Sequence, residues 1–299
     1  MRIVVTGGTG FIGREVVGRL LEIGGHEIAV TTRDPGRQDP WAGRVALVQA
    51  FAGDATSLGR AFAKAEVVIH AIQFPNHPVE DPRRGRTYLE VDGRGTTVAS
   101  RVAKAMGVRR FVYLSGAGAG RGRPQPWFQA KDMAEAAIRD AGLEHAFLRP
   151  SWIYGARDRS MNRFVFFCRY LPVVPVIGDG TTPVYPIYVK DVARCIAEAA
   201  LRDDATALAL DLGGPERLTM DQIIHTVQSV LRKRRPLLHH PAKLMKLLVL
   251  PMQLLPEPML SPGAIDFVLQ EVDVDPKPAM EYFGFPFRRL EEGLRDYLK

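Results

Sequence analysis

Short apolar runs alternate with stretches of helical periodicity through the first half of the chain. The runs suit buried strands, and the stretches between them repeat apolar residues every three to four positions, as a helix with one buried face does. Strands are predicted at Ile3–Val5, Glu27–Thr32, Val45–Gln49, Val67–Ala71, Arg110–Ser115 and His145–Leu148. Helices are predicted at Arg14–Ile23, Thr87–Met106 and Trp127–Ala141. This alternation predicts an α/β fold with a doubly wound parallel sheet, a Rossmann fold.

The pattern loosens after Pro150, where prolines interrupt irregular chain. A helix at Val189–Leu201, a strand at Ala207–Leu212 and a helix at Thr219–Leu231 are still readable, with Thr219 as the expected N-cap. The last helix is expected at Arg288–Lys299. We therefore expect a dinucleotide-binding core over residues 1–155. Residues 156–299 should supply the remaining core elements, at about 184–212, and a small discontinuous C-terminal lobe over the cofactor.

A glycine-rich turn joins the first strand to the first helix. Gly7, Gly10 and Gly13 recur at three-residue spacing, and Gly8, Gly10 and Gly13 fit the Gly-x-Gly-x-x-Gly pattern as well. A strand, a glycine turn and a helix N-terminus form an anion site, because backbone N–H groups and the helix dipole point at a pyrophosphate. The cofactor-binding residues expected from this turn are Gly7, Thr9, Gly10, Phe11, Ile12 and Gly13.

Two polar positions after later strands bear on the choice of dinucleotide. Arg33 follows the second strand, about twenty residues past the glycine turn, where arginine accommodates the 2′-phosphate of NADP. The neighbouring Asp34 leaves NAD as the alternative, because an acidic residue there binds the ribose hydroxyls. Asp54 follows the third strand and could accept a hydrogen bond from the adenine amino group, or simply form a turn with Gly53.

Composition excludes several other classes of protein. Hydrophobic residues make up 46% and charged residues 24% of the 299 residues, which is typical of a globular protein. The net charge of +7 is spread over the chain without a nucleic-acid-binding motif. The two cysteines, Cys168 and Cys195, have no metal or redox spacing, so we expect no metal site and a cytoplasmic location.

A basic cluster, Arg232-Lys-Arg-Arg235, precedes a short apolar segment that reaches Leu255. Such a combination can lie on an anionic membrane surface. It can equally be a helix packed on the small lobe after a solvated turn. The sequence leaves a weak membrane contact through residues 232–255 and a packed helix as alternatives.

The motifs together resemble the short-chain dehydrogenase/reductase superfamily in its extended and atypical branches. The matching stretches include Thr6–Gly13, Gly53-Asp54, Asp92-Gly-Arg-Gly-Thr96, Leu148–Gly155, Tyr185–Ala193 and Gly213-Gly214-Pro215. The chain is most similar to the subgroup that contains the nucleotide-binding accessory subunit of mitochondrial complex I. The resemblance implies that Ala71, Ile72, Gln73, Ser115, Pro150 and Ile153 line the cofactor cleft.

The family's proton transfer uses a Tyr-x-x-x-Lys pair, whose members lie on one face of a helix. This chain has Trp127-Phe-Gln-Ala-Lys131, so the lysine is present and the tyrosine is replaced by an indole that has no acidic proton in the working range. The hydroxyl that orients the substrate falls on Gly116 by the same pattern. Lys131 is expected to hold the nicotinamide ribose, and Tyr154 is the first candidate for a substitute proton donor.

Two functions follow from this site. The first is an oxidoreductase or epimerase-like enzyme that uses a non-standard proton donor and an unidentified small-molecule substrate. The second is a non-catalytic NADP(H)-binding protein that acts as an accessory, assembly or sensor component.

Overall fold

Seven parallel strands form one central sheet in the computed structural model, which describes residues 1–36, 40–255, 258 and 260–298. The strands lie in the order β11-β6-β5-β4-β1-β2-β3. Their bounds are β1 Arg2–Thr6, β2 Glu27–Thr32, β3 Ala46–Gln49, β4 Val67–His70, β5 Arg110–Leu114, β6 Glu144–Pro150 and β11 Leu208–Leu212. The predicted doubly wound parallel sheet is therefore confirmed.

The order of the strands reverses between β1 and β4. The chain runs outward from β1 to β3 and then returns to start β4 on the other side of β1. Both strands are almost fully buried, because their apolar residues face helices on both sides of the sheet. A crevice opens at the carboxyl ends of strands at such a switch point, and ligands of this fold bind there.

Helices cover both faces of the sheet. One face is packed by α1 and α6, through Val16, Leu20, Val192 and Ile196. The other face is packed by α2, α3 and α4, through residues such as Leu58, Ala103 and Ile138. The bounds of these helices are α1 Phe11–Ile23, α2 Ala55–Phe62, α3 Gly95–Ala105, α4 Pro126–Asp140 and α6 Val189–Leu201.

The helix expected over Thr87–Met106 is two elements. A π-helical segment covers Tyr88–Arg94, and the regular α3 begins only at Gly95. The wider turn packs against α4 and buries Tyr88 and Asp92 beside it. Hydrophobic periodicity does not distinguish a π-helical segment from an α-helix, so the sequence pattern merged the two elements.

The remaining elements build a smaller lobe around a third apolar core, to which Met161, Val176 and Ile224 belong. Its short strands are β7 Ile153–Tyr154, β8 Val174–Ile177, β9 Pro183–Val184, β10 Ile187–Tyr188, β12 Leu218–Thr219 and β13 Leu237–His240. Its helices are α5 Ser160–Tyr170, α7 Met220–Val230, α8 Ala242–Val249, α9 Pro262–Val268 and α11 Leu290–Tyr297, and α10 Lys277–Phe283 packs on the sheet core.

Thr219 is the N-cap of α7, as the sequence predicts. Its side chain accepts a hydrogen bond from the backbone N–H of Gln222, and the Gln222 side chain completes a capping box. In the described part of the chain, no helix combines the length and apolar character needed to cross a membrane.

Candidate dinucleotide cleft

The glycine turn lies at the switch point, between β1 and α1. Gly7 has a positive φ of 73°, and a Cβ atom there would lie 2.2 Å from the carbonyl oxygen of Ala71. A Cβ atom at Gly13 would lie 2.3 Å from the carbonyl oxygen of Gly7. The protein's own packing therefore requires glycine at both positions.

Gly10 differs from these two glycines. A Cβ atom there would meet only the carbonyl oxygen of Gly7, at 3.1 Å, and the residue is exposed. Gly10 is also the N-cap of α1, where no side chain caps the helix and the first turn holds no acidic residue. The first N–H groups of α1 thus open toward the cleft and suit an anion.

Thr9, Phe11 and Ile12 surround this helix start and are half-buried. The Phe11 and Ile12 side chains pack into the small lobe, and the Phe11 ring approaches Gly155. Their predicted contribution to a cofactor rests on backbone N–H groups, because their side chains join the two lobes.

The residues predicted after β4 border the same turn. The backbone N–H of Ala71 donates to the carbonyl of Thr6 across 3.1 Å, which sets the strand end beside the glycines. Ala71 and Ile72 are half-buried, and Gln73 is exposed. Their role as cofactor contacts stays a prediction.

The side chains of Arg33 and Asp34 differ in their hydrogen bonding. Asp34 Oδ1 accepts a hydrogen bond from the Gly36 N–H at 3.0 Å, so this carboxylate stabilises the turn after β2. Arg33 is exposed, and its guanidinium forms no hydrogen bond or ion pair with another described residue. A guanidinium without a partner among the described residues, placed at the end of β2, is suited to an incoming phosphate.

Asp54 is the N-cap of α2. Its two carboxylate oxygens accept from the N–H groups of Thr56 and Ser57, and hydrogen bonding from Ser57 lowers the pKa of the carboxyl. Gly53 has a φ of 80°, so the pair does form a turn. The carboxylate remains exposed beside the cleft, and its contact with adenine stays a prediction.

Lys131 lies inside the protein on α4 and is 1% exposed. Its ammonium donates to Asp92 Oδ1 at 2.8 Å and to the carbonyl of Leu114 at 3.3 Å. Burial, the largest single influence, lowers the pKa of this ammonium, but the charges and hydrogen bonds of Asp92 and Tyr113 together raise it above its ordinary value. Lys131 is therefore held as a cation at neutral pH and is already paired within the protein.

Trp127 occupies the position of the missing tyrosine, one turn before Lys131. A Cβ atom at Gly116 would lie 2.3 Å from Cζ2 of Trp127, so the indole lies directly against the glycine. The same ring lies 5.0 Å from Lys131 Nζ. The indole thereby covers both positions where the family's chemistry places hydroxyl groups.

Four further rings pack around Trp127. Ring centroids lie 5.7 Å away for His77, 5.4 Å for Tyr88 and 5.2 Å for Phe267. The ring centroid of Phe74 lies 4.9 Å from that of Tyr88, so Phe74 packs against Tyr88. We call Phe74, His77, Tyr88, Trp127 and Phe267 the aromatic cluster. Phe267 comes from α9, so the C-terminal region closes this side of the site.

Ser115 does not offer its hydroxyl to the cleft. The hydroxyl donates to Glu135 Oε1 at 2.8 Å, and Nε and Nη2 of Arg149 also donate to the two carboxylate oxygens of Glu135. Ser115 is 3% exposed. This buried network takes up the hydroxyl, so a cofactor contact by Ser115 would use its backbone, and that contact stays a prediction.

Pro150 ends β6 and Ile153 begins β7, and their role as cofactor contacts stays a prediction. The expectation that Tyr154 donates a proton is wrong. Its side chain is fully buried in the small lobe, and its hydroxyl lies 3.3 Å from the carbonyl of Arg289. Burial raises the pKa of this hydroxyl as well.

Sequence reasoning missed the ion-pair partner of Lys131 and most of the aromatic cluster. Asp92 was visible only as part of the Asp-Gly-Arg-Gly-Thr motif, and the π-helical turn that aims it at α4 has no periodic signature. Phe267 lies 140 residues beyond Trp127 in the chain. Only the fold brings it to the site.

The comparison with family models decides the affiliation. Residues 7–203, which contain the glycine turn and the sheet, match the model described as NAD(P)H-binding. The chain belongs to the NAD(P)H-binding family. With its parallel sheet and motifs, it is an atypical member of the short-chain dehydrogenase/reductase type.

Known relatives include subunits and enzymes. The mitochondrial NADH dehydrogenase (ubiquinone) 1 alpha subcomplex subunit 9 of Arabidopsis thaliana is 31% identical over 240 residues, covering 77% of this chain. The mouse subunit is 28% identical over 231 residues and 74% of this chain. The matched region spans 58% of the length of either subunit. A (4-alkanoyl-5-oxo-2,5-dihydrofuran-3-yl)methyl phosphate reductase of Streptomyces griseus is 28% identical, covering 73% of this chain and 69% of its own.

Solved structures share the fold over its full length. The UDP-glucose 4-epimerase of Thermus thermophilus in complex with NAD superposes with a TM-score of 0.76, at 22% identity, and covers 99% of this chain and 98% of its own. The UDP-glucose 4-epimerase of Thermotoga maritima gives 0.77 at 21% identity, with the same coverage. At sequence identities of 21% and 22%, the similarity to these two epimerases establishes a shared fold.

Proposed function

We propose that the protein binds NADP(H) as a stabilising or sensing ligand and acts as an accessory or assembly component without dehydrogenase chemistry. The observation that carries this proposal is the indole of Trp127 lying on Gly116. Reduction of a carbonyl needs a proton donor beside the substrate oxygen, and neither position carries a hydroxyl.

The buried ion pair supports the same conclusion. In the family's reaction the lysine lowers the pKa of the catalytic tyrosine and holds the nicotinamide ribose. Here the ammonium of Lys131 is paired with Asp92, and the Trp127 ring lies beside it. The ammonium of Lys131 therefore neutralises the buried carboxylate of Asp92, and this structural role comes before any role toward a ligand.

The aromatic cluster supports it further. Substrate sites are concave and keep room for a ligand beside their polar groups. In this protein the space around Trp127 is filled by the rings of His77, Tyr88 and Phe267. The glycine turn stays open while the substrate side is packed.

Arg33 supports NADP(H) over NAD(H), because its exposed guanidinium has no partner among the described residues. Similarity to a complex I subunit supports an accessory role. A nicotinamide dinucleotide supplies hydride chemistry when bound, and the residues of this chain bind and orient it.

The second candidate is a reductase whose product takes its proton from solvent. Lys131 is retained, and one relative is named a reductase. The two functions are separated by following NADPH absorbance with a panel of aldehydes, ketones, nucleotide sugars and unsaturated lactones. We expect NADPH binding by calorimetry and no turnover. Turnover by the parent protein that disappears in Gly10→Val would contradict the accessory role and favour the reductase.

A further inference from the structure

The residues after α7 contain a long stretch of positive charge. From Gln222 to Pro256 the chain carries six lysines and arginines and no aspartate or glutamate. Four of the cations form the basic turn, Arg232–Arg235, in which Arg232, Lys233 and Arg234 are exposed. An open groove of about 1020 Å³ runs beside this turn and is bordered by His225, Gln228 and Ser229.

The helix that follows presents its apolar side outward. We call the exposed residues Leu244, Leu247, Leu248, Leu250 and Leu255 the leucine face, and their exposed fractions lie between 47% and 63%. Only Val249 of α8 is buried. The helix predicted for this segment is present, and it turns Val249 inward while its leucines stay exposed.

The helix is nevertheless anchored to the protein. It packs against α9, and Lys246 forms an ion pair with Asp266 on that helix. Lys243 stays exposed beside Leu244. Leu244, Leu247 and Leu248 of the leucine face are thus held outward by an anchored helix, and Leu250 and Leu255 follow it in the chain.

The basic turn and the leucine face are joined by β13. The strand spans about 13 Å, and one proline on each side of it leads to the basic turn and to α8, so the two features are neighbours along the chain. Leu238, which is 49% exposed, lies on the strand between them. Contiguous exposed apolar surface mostly marks an interaction site.

We propose that this surface docks the protein on an anionic phospholipid membrane, with the leucine face inserted at the headgroup level and the basic turn facing lipid phosphates. Charge complementarity selects this partner, because the cations of the basic turn form no ion pair with a described carboxylate and suit a negatively charged surface. An amphipathic helix with apolar residues on one side and lysines at its border lies in such an interface. This docking is independent of what the dinucleotide cleft does.

The test is co-sedimentation of the full chain with vesicles of phosphatidylcholine alone or with about 30% phosphatidylglycerol, at low and high salt. We expect binding to the anionic vesicles that weakens with salt. The triple variant Leu244→Gln, Leu247→Gln and Leu248→Gln should bind at least about a hundredfold more weakly, since the lost apolar contacts drive insertion. Arg232→Gln with Lys233→Gln and Arg234→Gln should remove most of the preference for anionic lipid.

Matched controls use exposed residues elsewhere. Ile23→Gln with Met106→Gln removes apolar groups, and Lys64→Gln with Arg101→Gln removes charge, and both should bind like the parent. Retained NADPH affinity shows that each variant is folded. Equal vesicle binding by the leucine variant, or no vesicle binding by the parent, would overturn the proposal. A dimer that the leucine variant abolishes, without vesicle binding, would assign the face to a second copy instead.

Discussion

A Cβ atom at Gly116 would lie 2.3 Å from Cζ2 of Trp127, so the two departures from the family's active site depend on one another. An indole in the tyrosine position leaves no room for a side chain at 116. The loss of the proton donor and the loss of the orienting hydroxyl are thus one steric change.

The dependence can be measured. Gly116→Ser should destabilise the protein by about 1–3 kcal/mol, because the new side chain overlaps the indole. In a Trp127→Tyr background the same substitution should cost clearly less. Urea unfolding of the parent, the two single variants and the double variant gives the coupling energy. An equal loss of unfolding free energy for Gly116→Ser in both backgrounds would show that the indole does not limit the side chain at position 116.

The open glycine of the turn gives a second prediction. Gly10→Val should abolish dinucleotide binding while the protein stays folded, because the side chain occupies the space of the pyrophosphate and its Cβ atom meets only the carbonyl oxygen of Gly7. Calorimetry measures the binding and circular dichroism the fold. Gly18→Ala is the control, since a Cβ atom at Gly18 meets no atom within 4 Å, and it should bind normally. Unchanged affinity in Gly10→Val would place the phosphate elsewhere.

Arg33 should decide between the two dinucleotides. Arg33→Ala should weaken NADPH binding by about 1.5–3 kcal/mol, the usual worth of a hydrogen bond to a charged group, and leave NADH binding nearly unchanged. The exposed cation Lys64 provides the control, as Lys64→Ala should alter neither affinity. Equal losses for both dinucleotides in Arg33→Ala would remove the basis for an NADP preference.

The Lys131–Asp92 pair predicts a change in pH dependence. The raised pKa of Lys131 means that the pair's contribution is complete below the ordinary lysine pKa and is lost only as pH rises through the higher folded value, so neutral solutions do not titrate it. Lys131→Met should cost about 3–5 kcal/mol, because Asp92 is left buried without a partner.

Burial already raises the pKa of Asp92, and in that variant the charge and hydrogen bond of Lys131 no longer oppose it, so stability should be greatest at acid pH and fall as pH rises above the ordinary aspartate value. Urea unfolding between about pH 4 and pH 8 checks the slope. Adding Asp92→Leu to Lys131→Met should recover much of the stability and remove the new pH dependence. A flat profile for Lys131→Met would mean that water reaches the carboxylate.

Local patterns predicted the sheet well and the substrate side poorly, for physical reasons. The strands at Glu27–Thr32 and Val67–His70 are buried on both faces, so a continuous apolar run marks them. The glycine turn is equally local, since its strand, glycines and helix are consecutive. The residues that form these strands and the glycine turn are neighbours in the sequence, so a local pattern is enough to predict them.

The side chains around Lys131 come from distant segments. The ion pair joins residues 39 positions apart, and the aromatic cluster needs α9 to pack near α4. The sequence places Tyr154 in the Leu148–Gly155 motif but does not predict the direction of its side chain, which turns into the core of the small lobe. The glycine at 116 was recognised, but its contact with the indole needed the fold.

The fate of one equivalent of bound NADPH tests the accessory role most directly. The protein loaded with NADPH is incubated with the pool of low-molecular-mass compounds from a cell extract, and the nicotinamide absorbance is followed beside Gly10→Val as the unloaded control. The account predicts that the cofactor stays bound and reduced for hours. Oxidation that needs the intact cleft and proceeds at about 1 per second or faster, as in ordinary enzymes, would contradict it.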